Sequence, residues 1–207
     1  MDNKKLIYFI TFGCLFGGSV FGQNTISKYP NGNLRDSGFV EQNNKVGLWK
    51  TWYPDGKLNA IEIYSNGKLH GKALYYAPNG KLIANETWLN GLQTDSNFYF
   101  YEIGQLQKKG RFENGQYEGT WLFYYDNGLP KQFANYQKGT MHGFWIIYNE
   151  QGTPQQKGSY YEGEPDGKWE FFDEKEQLTE VHYYEKGKPI GTWEYYKNGK
   201  LKKTKKQ

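Results

Sequence analysis

Cysteine is nearly missing from this chain. The only one in 207 residues is Cys14, inside an N-terminal segment that reads as removable, so the remainder can form neither a disulfide nor a thiolate metal site. Long apolar runs are missing too. Leu6 to Phe16 is the longest, and Gly17, Gly18 and Ser19 end it well short of the about 20 residues a membrane span needs. With Lys4 and Lys5 before it and Val20-Phe21-Gly22 after it, residues 1–22 are expected to be a secretory signal peptide. The stretch Thr11-Phe12-Gly13 before Cys14 lacks the Leu-small-small pattern of lipid attachment. The expected destination is the periplasm, the outer surface or the exterior. Leu, Ile and Val are scarce within an apolar share of only 37%, low for a closed globule. Gly or Pro interrupts every stretch long enough to be a helix, which excludes helical classes. A uniform positive charge is also lacking. Of the net +4, residues 1–22 carry +1 and residues 197–207 carry +6, which leaves −3 for the body, the wrong balance for a nucleic-acid surface.

Aromatic residues at 19% and 26 glycines are what the chain does have, and they fall on a period of 24 residues. One register holds Gly47, Gly71, Gly119, Gly143, Gly167 and Gly191, with Asp95 in the remaining slot. A second holds Gly67, Gly91, Gly115, Gly139, Gly163 and Gly187. A third holds Gly32, Gly56, Gly80, Gly104, Gly128 and Gly152, then Glu176, with Gly199 one residue early. Aromatic columns run at fixed offsets from the first register. The second position onward includes Trp49, Trp121, Trp145, Trp169 and Trp193, the fourth Tyr75, Phe123 and Phe171, and the fifth Trp52, Tyr124, Tyr148 and Phe172.

Each repeat resolves into two strands and two turns. Asp126-Asn127-Gly128 and Ser65-Asn66-Gly67 are turn signals, because Asn and Gly tolerate positive φ. Short connections at both ends make successive strands antiparallel neighbours. The expected fold is therefore all-β, an elongated single-layer antiparallel meander of stacked hairpins with about 14 to 16 strands at a spacing of about 4.8 Å. Alternation puts the second and fourth positions on one face and the fifth on the other. Residues 23–199 would form the repeat domain, about seven copies, and residues 200–207 a basic C-terminal tail.

The pattern Gly-x-Trp-x-x-Tyr-Tyr-x-Asn-Gly, followed by Tyr-x-x-Gly-x-x-x-Gly, is fullest in Gly119, Trp121, Tyr124, Tyr125, Asn127, Gly128, Tyr136, Gly139 and Gly143. It resembles the MORN repeat, in the variant form found in bacterial YwqK-like antitoxin proteins, over about residues 29 to 201. The resemblance implies a β-meander that serves as an interaction platform without catalysis. Proteins similar to the antitoxin type are thought to neutralise a toxin encoded beside them, although an export leader does not suit a cytoplasmic toxin. The repeat departs from its pattern at Asp95 and Asn97, at Pro130 and Pro154, and at Glu176.

Chemistry-bearing constellations are few. His70, His142 and His182 are too scattered for convergent metal ligands, and no His-Glu-x-x-His, Gly-x-Ser-x-Gly or P-loop spacing occurs. Asp166, Glu170, Asp173, Glu174 and Glu176 are a dense carboxylate group, but a one-layer sheet encloses no pocket in which to shift their pKa values. No catalytic, metal or cofactor residue is assigned. The expected function is an exported non-catalytic scaffold that binds a protein partner through Trp121, Tyr124, Trp145, Tyr148, Trp169 and Phe172, rigid apolar side chains suited to an interface core. The alternative is a module for glycan or envelope polymer. The Trp-x-x-Tyr-Tyr pattern is similar to choline-binding and glucan-binding repeats, whose period is shorter. The tail lysines add possible contact with an anionic membrane surface.

Overall fold

The structure, a computed structural model, describes residues 22–207. The expected signal peptide and Cys14 lie outside the described residues, apart from Gly22. The chain divides into two compact units, one of residues up to Thr94 with 102–104, the other of 95–101 with 105–207. No α-helix occurs among the described residues.

The first unit is a meander of β1 (Gln23–Lys28), β2 (Leu34–Glu41), β3 (Asn44–Trp52), β4 (Leu58–Ser65), β5 (Lys68–Tyr76), β6 (Leu82–Leu89) and the short β7 (Leu92–Gln93). Each strand pairs antiparallel with the next. The second unit continues the same plan through β8 (Asp95–Phe100), β9 (Leu106–Glu113), β10 (Gln116–Tyr124), β11 (Pro130–Gln137), β12 (Thr140–Tyr148), β13 (Pro154–Tyr161), β14 (Glu164–Phe172) and β15 (Leu178–Glu185). It ends with β16 (Lys188–Pro189), β17 (Thr192–Lys197) and β18 (Lys200–Lys206). The antiparallel hairpin meander expected from the period is thus the fold. The expected basic tail is itself a strand, because Lys200–Lys206 pairs with β17 from Lys197↔Lys200 to Thr192↔Lys206.

The glycines of the first register mark a bulge that the period alone did not reveal. On β10, the four steps from Glu118 to Leu122 face only two on β9, from Arg111 to Lys109. Matching shifts occur at Val46/Lys50, Leu69/Ala73, Met141/Trp145 and Asp166/Glu170. Gly119 sits at φ 66° in this bulge, a left-handed conformation that is costly for residues with a Cβ. Such bulges bend the strand and increase its twist.

The three departures from the repeat pattern keep the backbone shape. Asp95 and Glu176 hold φ 52° and 60° without being glycine. Pro130 and Pro154 are the first residues of β11 and β13, where a missing N–H is tolerated.

Where the turn opens on Tyr29, Tyr53, Tyr101 or Tyr125, it is tied to a later strand by one repeated bond. Tyr29 Oη donates to the Trp52 carbonyl and Tyr53 Oη to that of Tyr76, both at 2.8 Å. In the second unit Tyr101 Oη donates to the Tyr124 carbonyl at 2.8 Å and Tyr125 Oη to that of Tyr148 at 2.7 Å.

Candidate functional site

One face of the sheet carries the tryptophans in a straight cross-strand row. Trp121 is opposite Ala134, Ala134 opposite Trp145, Trp145 opposite Gly158, and Trp169 opposite His182. Large and small residues alternate along the row for a steric reason. A Cβ built on Gly38, Gly110 or Gly158 would stand 2.3 Å from the ring of Trp49, Trp121 or Trp169, so each indole lies flat over a glycine of the preceding strand. The indole N–H is then satisfied by a carbonyl of that strand. Trp49 Nε1 donates to Phe39 O at 3.1 Å, Trp121 to Arg111 O at 2.9 Å and Trp169 to Ser159 O at 3.2 Å.

Tyr117 stacks on Trp121 at 3.8 Å between ring centroids, and Phe112 meets Trp121 edge-on at 5.0 Å. Around Ala134, Trp145 and Trp169 pack Tyr136, Met141, Ile147, Tyr160, Phe171 and Tyr184. The rings thus form a core inside a single layer, by the cross-strand packing that stabilises sheets. At the C-terminal end of the row, His182 replaces the small residue and lies parallel to Trp193 at 3.6 Å. Its Nε2 is 2.7 Å from a Glu180 carboxylate oxygen, though the angle falls outside hydrogen-bond geometry.

The first unit modifies the row. Where Ala73 replaces tryptophan, the flanking positions on both sides are Glu62 and Glu86. Glu62 accepts hydrogen bonds from Tyr64 Oη at 3.0 Å and Tyr75 Oη at 3.1 Å, and Glu86 from Trp88 Nε1 at 3.0 Å. Burial, and after it the Glu62 charge, pushes both phenols up from the ordinary tyrosine value. Lys45 Nζ stands over the rings of Trp49 and Tyr64 at 4.2 and 4.8 Å. In the second unit Lys108 stands over Tyr99 at 4.4 Å and donates to Tyr117 Oη at 2.9 Å, a cation–π arrangement supplied by the chain itself.

The six residues expected at a partner interface separate into two groups. Trp121, Trp145 and Trp169 are 0%, 8% and 5% exposed, which leaves their rings no surface for a partner. Tyr124, Tyr148 and Phe172 are half-buried and fall on the opposite face by strand alternation. Lys157 shows this most directly, since its Nζ reaches both Glu170 at 2.8 Å and the Phe172 ring at 5.2 Å. On that face Phe133 and Phe144 meet at 5.7 Å, and Phe144 is 44% exposed.

The dense carboxylate group is occupied by structure. Glu170 sits between Lys157 and Lys168, at 2.8 and 2.6 Å. Burial raises its pKa, but the two lysines outweigh that and hold it below the usual carboxylate range. Asp173 accepts the backbone N–H of Lys175 and Gln177 within its own turn, and Asp166 accepts that of Lys186. His70 Nδ1 faces Asn90 Oδ1 at 3.2 Å, and the His142 ring lies 5.2 Å from that of Tyr161. Among the described residues no three His, Cys, Asp or Glu converge as metal ligands. A polar depression of about 220 Å³ is lined by Glu113, Asn114, Gln116, Glu118, Gln137 and Lys138. Its Glu118 carboxylate is engaged by the Lys138 N–H at 2.8 Å.

Sequence reasoning located the tryptophan column but missed the column that seats it. Gly38, Glu62, Glu86, Gly110, Ala134, Gly158 and His182 also repeat every 24 residues, each eleven before the tryptophan slot. The signal was present as size complementarity. Glycine or alanine precedes Trp49, Trp121, Trp145 and Trp169, and glutamate precedes Ala73 and Asn97.

Three stretches of the chain, 45–66, 69–90 and 117–138, match the family described as MORN repeat variant. No curated protein matches the chain.

Proposed function

We propose that this chain is an exported, non-catalytic β-repeat scaffold that binds a protein partner through the face bearing Tyr124, Tyr148 and Phe172. The observation that carries the reading is the division of the aromatic residues between the two faces. One set is consumed by the glycine-seated tryptophan row, while the other stays half-open on the face that also carries the exposed Phe144. Rigid rings on a sheet whose strands are already fixed lose little entropy on docking, and aromatics dominate interface energetics. Trp121, Trp145 and Trp169 serve the interface from beneath, by holding the backbone that presents it. Export rests on the composition of residues 1–22. The three matched stretches agree with a binding repeat.

The test is capture from an envelope extract by the chain lacking residues 1–22, alongside a Tyr124→Ala, Tyr148→Ala, Phe172→Ala variant. The expected result is one protein retained by the parent and absent with the variant. Equal retention by both would place the interface elsewhere. The antitoxin-like form of this proposal makes the partner a toxin domain, and identification of the captured protein decides it.

A glycan-binding reading is favoured by a different row. Phe123, Gln132, Ile147, Gln156 and Phe171 follow one another across β10 to β14, alternating apolar side chains with amides in the manner of a sugar platform. Retention on a polysaccharide column that Phe171→Ala abolishes would support it. Anionic lipid contact through β18 is the remaining proposal, and vesicle co-sedimentation that salt abolishes tests it.

A further inference from the structure

On the face opposite the tryptophan row, the second unit carries a cross-strand row in which lysines bracket apolar side chains. Lys109 is opposite Leu122, Leu122 opposite Phe133, Phe133 opposite Ile146, and Ile146 opposite Lys157. Phe144 adds an exposed ring 5.7 Å from that of Phe133. Tyr124 and Tyr148, two residues beyond Leu122 and Ile146, lie beside the row on the same face. Lys131, two residues before Phe133, faces the same way, and its Nζ stands 5.3 Å from the centre of the Tyr125 ring.

The charge around this row is of one sign. Within β9 to β13 the carboxylates are Glu113 and Glu118, and both are already engaged at the far ends of their strands. Glu113 is held by Arg111 at 3.3 Å, and Glu118 accepts the Lys138 N–H at 2.8 Å. Lys109 has no carboxylate partner among the described residues. Lys157 shares Glu170 with Lys168, at 2.8 and 2.6 Å, so two ammonium groups meet one carboxylate and a positive charge is left over. The strands β14 and β17, by contrast, bring Glu170 and Glu194 to this face.

We propose that the segment docked on this row is an extended, acidic stretch of a protein partner, with apolar side chains between its carboxylates. The inference rests on the protein-binding reading of this face and adds the chemistry of the partner. Four strand steps separate Lys109 from Lys157, about 19 Å at about 4.8 Å each. A chain extended at about 3.3 Å per residue covers that span in about six residues. A segment laid across the strands would thus set carboxylates about six residues apart over Lys109 and Lys157, with Lys131 to one side of its middle. Its apolar side chains would rest on Leu122, Phe133 and Phe144. The lysines speed encounter and fix orientation more than they add affinity, while the rings supply the contact. A cationic segment is turned away by the same three charges. The apolar side chains stand in a row between lysines and not on a projecting turn, which suits a chain laid along the row better than insertion into a bilayer.

The experiment titrates the full-length chain into a fluorescent peptide with two glutamates at each end and Leu-Ser-Leu between them, and reads anisotropy. The parent is expected to bind at low salt and to weaken as salt screens the lysines. Lys109→Gln, Lys131→Gln and Lys157→Gln together should lower the affinity about tenfold or more. Lys202→Gln, Lys203→Gln and Lys205→Gln, which remove the same charge from β18, should stay within about twofold of the parent. Urea unfolding checks that both variants fold. No binding by the parent, or equal loss in the two variants, would overturn the proposal. So would lysine-dependent co-sedimentation with phosphatidylserine vesicles without peptide binding, which would assign the face to lipid. The wider reading is tested separately by the envelope capture. If the captured protein is lost with the Tyr124→Ala, Tyr148→Ala, Phe172→Ala variant but kept by the Lys109, Lys131 and Lys157 variant, the face binds protein and the acidic chemistry fails.

Discussion

A missing Cβ is the smallest feature on which this sheet depends. Gly110 is required by the indole of Trp121, whose ring occupies the place a methyl group would take. Gly119 is required by its own backbone, since a Cβ there would meet nothing within 4 Å but φ is 66°. The two glycines should therefore fail differently on substitution. Gly110→Ala is expected to cost about 1–3 kcal/mol or more by overpacking and to shift the Trp121 fluorescence. Gly119→Ala should cost about 1–2 kcal/mol of conformational strain with the emission unchanged. Urea unfolding with emission spectra separates them, and unchanged emission in Gly110→Ala would contradict the seat. Glu62 supports a second test. The pKa values of Tyr64 and Tyr75 are raised above 10.0, first by burial and then by Glu62. Because the fold favours the protonated phenols, their contribution to stability is complete below the unfolded value of about 10 and is lost as pH rises through the raised folded value. Glu62→Gln should bring tyrosinate absorbance in at lower pH, and an unchanged titration would contradict the assigned cause.

At the scale of the element, the β3–β4 and β10–β11 hairpins combine a bulge opened by Gly47 or Gly119, Trp49 or Trp121 laid back over the preceding strand, and a bond from Tyr53 or Tyr125 to a later one. Tyr125→Phe removes only the 2.7 Å bond to Tyr148 O and should cost about 1 kcal/mol. Hydrogen exchange is expected to rise first in the turn around Asn127, and a rise confined to some distant turn would count against the bond. The strands and turns were legible in the sequence because a 24-residue period puts the same turn chemistry at the same place each time. The bulge was not, since positive φ at Gly119 and positive φ in a hairpin turn leave the same residue in the sequence. Strand β18 looks like a basic tail in the sequence for a related reason. Lys200–Lys206 is exposed throughout, so no burial pattern marks it as a strand, and only pairing with β17 does. Lysines along such an edge also discourage pairing with other chains.

For the molecule as a whole, the proposed partner binding turns on which aromatic residues the packing leaves available. Trp121, Tyr124, Trp145, Tyr148, Trp169 and Phe172 share one signal in the sequence, since all are aromatic and all repeat. Alternation predicted that they would divide between faces, but which face closes depends on the glycines that seat the indoles. Burial then removes the tryptophans from any surface and keeps Tyr124, Tyr148 and Phe172 half-open. Stability and binding should accordingly separate by residue. Trp145→Ala is expected to lose about 3–5 kcal/mol of stability. Tyr148→Ala should stay within about 1 kcal/mol of the parent while losing partner. The most direct measurement is the affinity of the captured protein for the parent and for Tyr148→Ala, each checked by urea unfolding. The account predicts affinity weaker by about tenfold or more, about 1.4 kcal/mol, with the fold retained. Unchanged affinity in a folded Tyr148→Ala chain would contradict it.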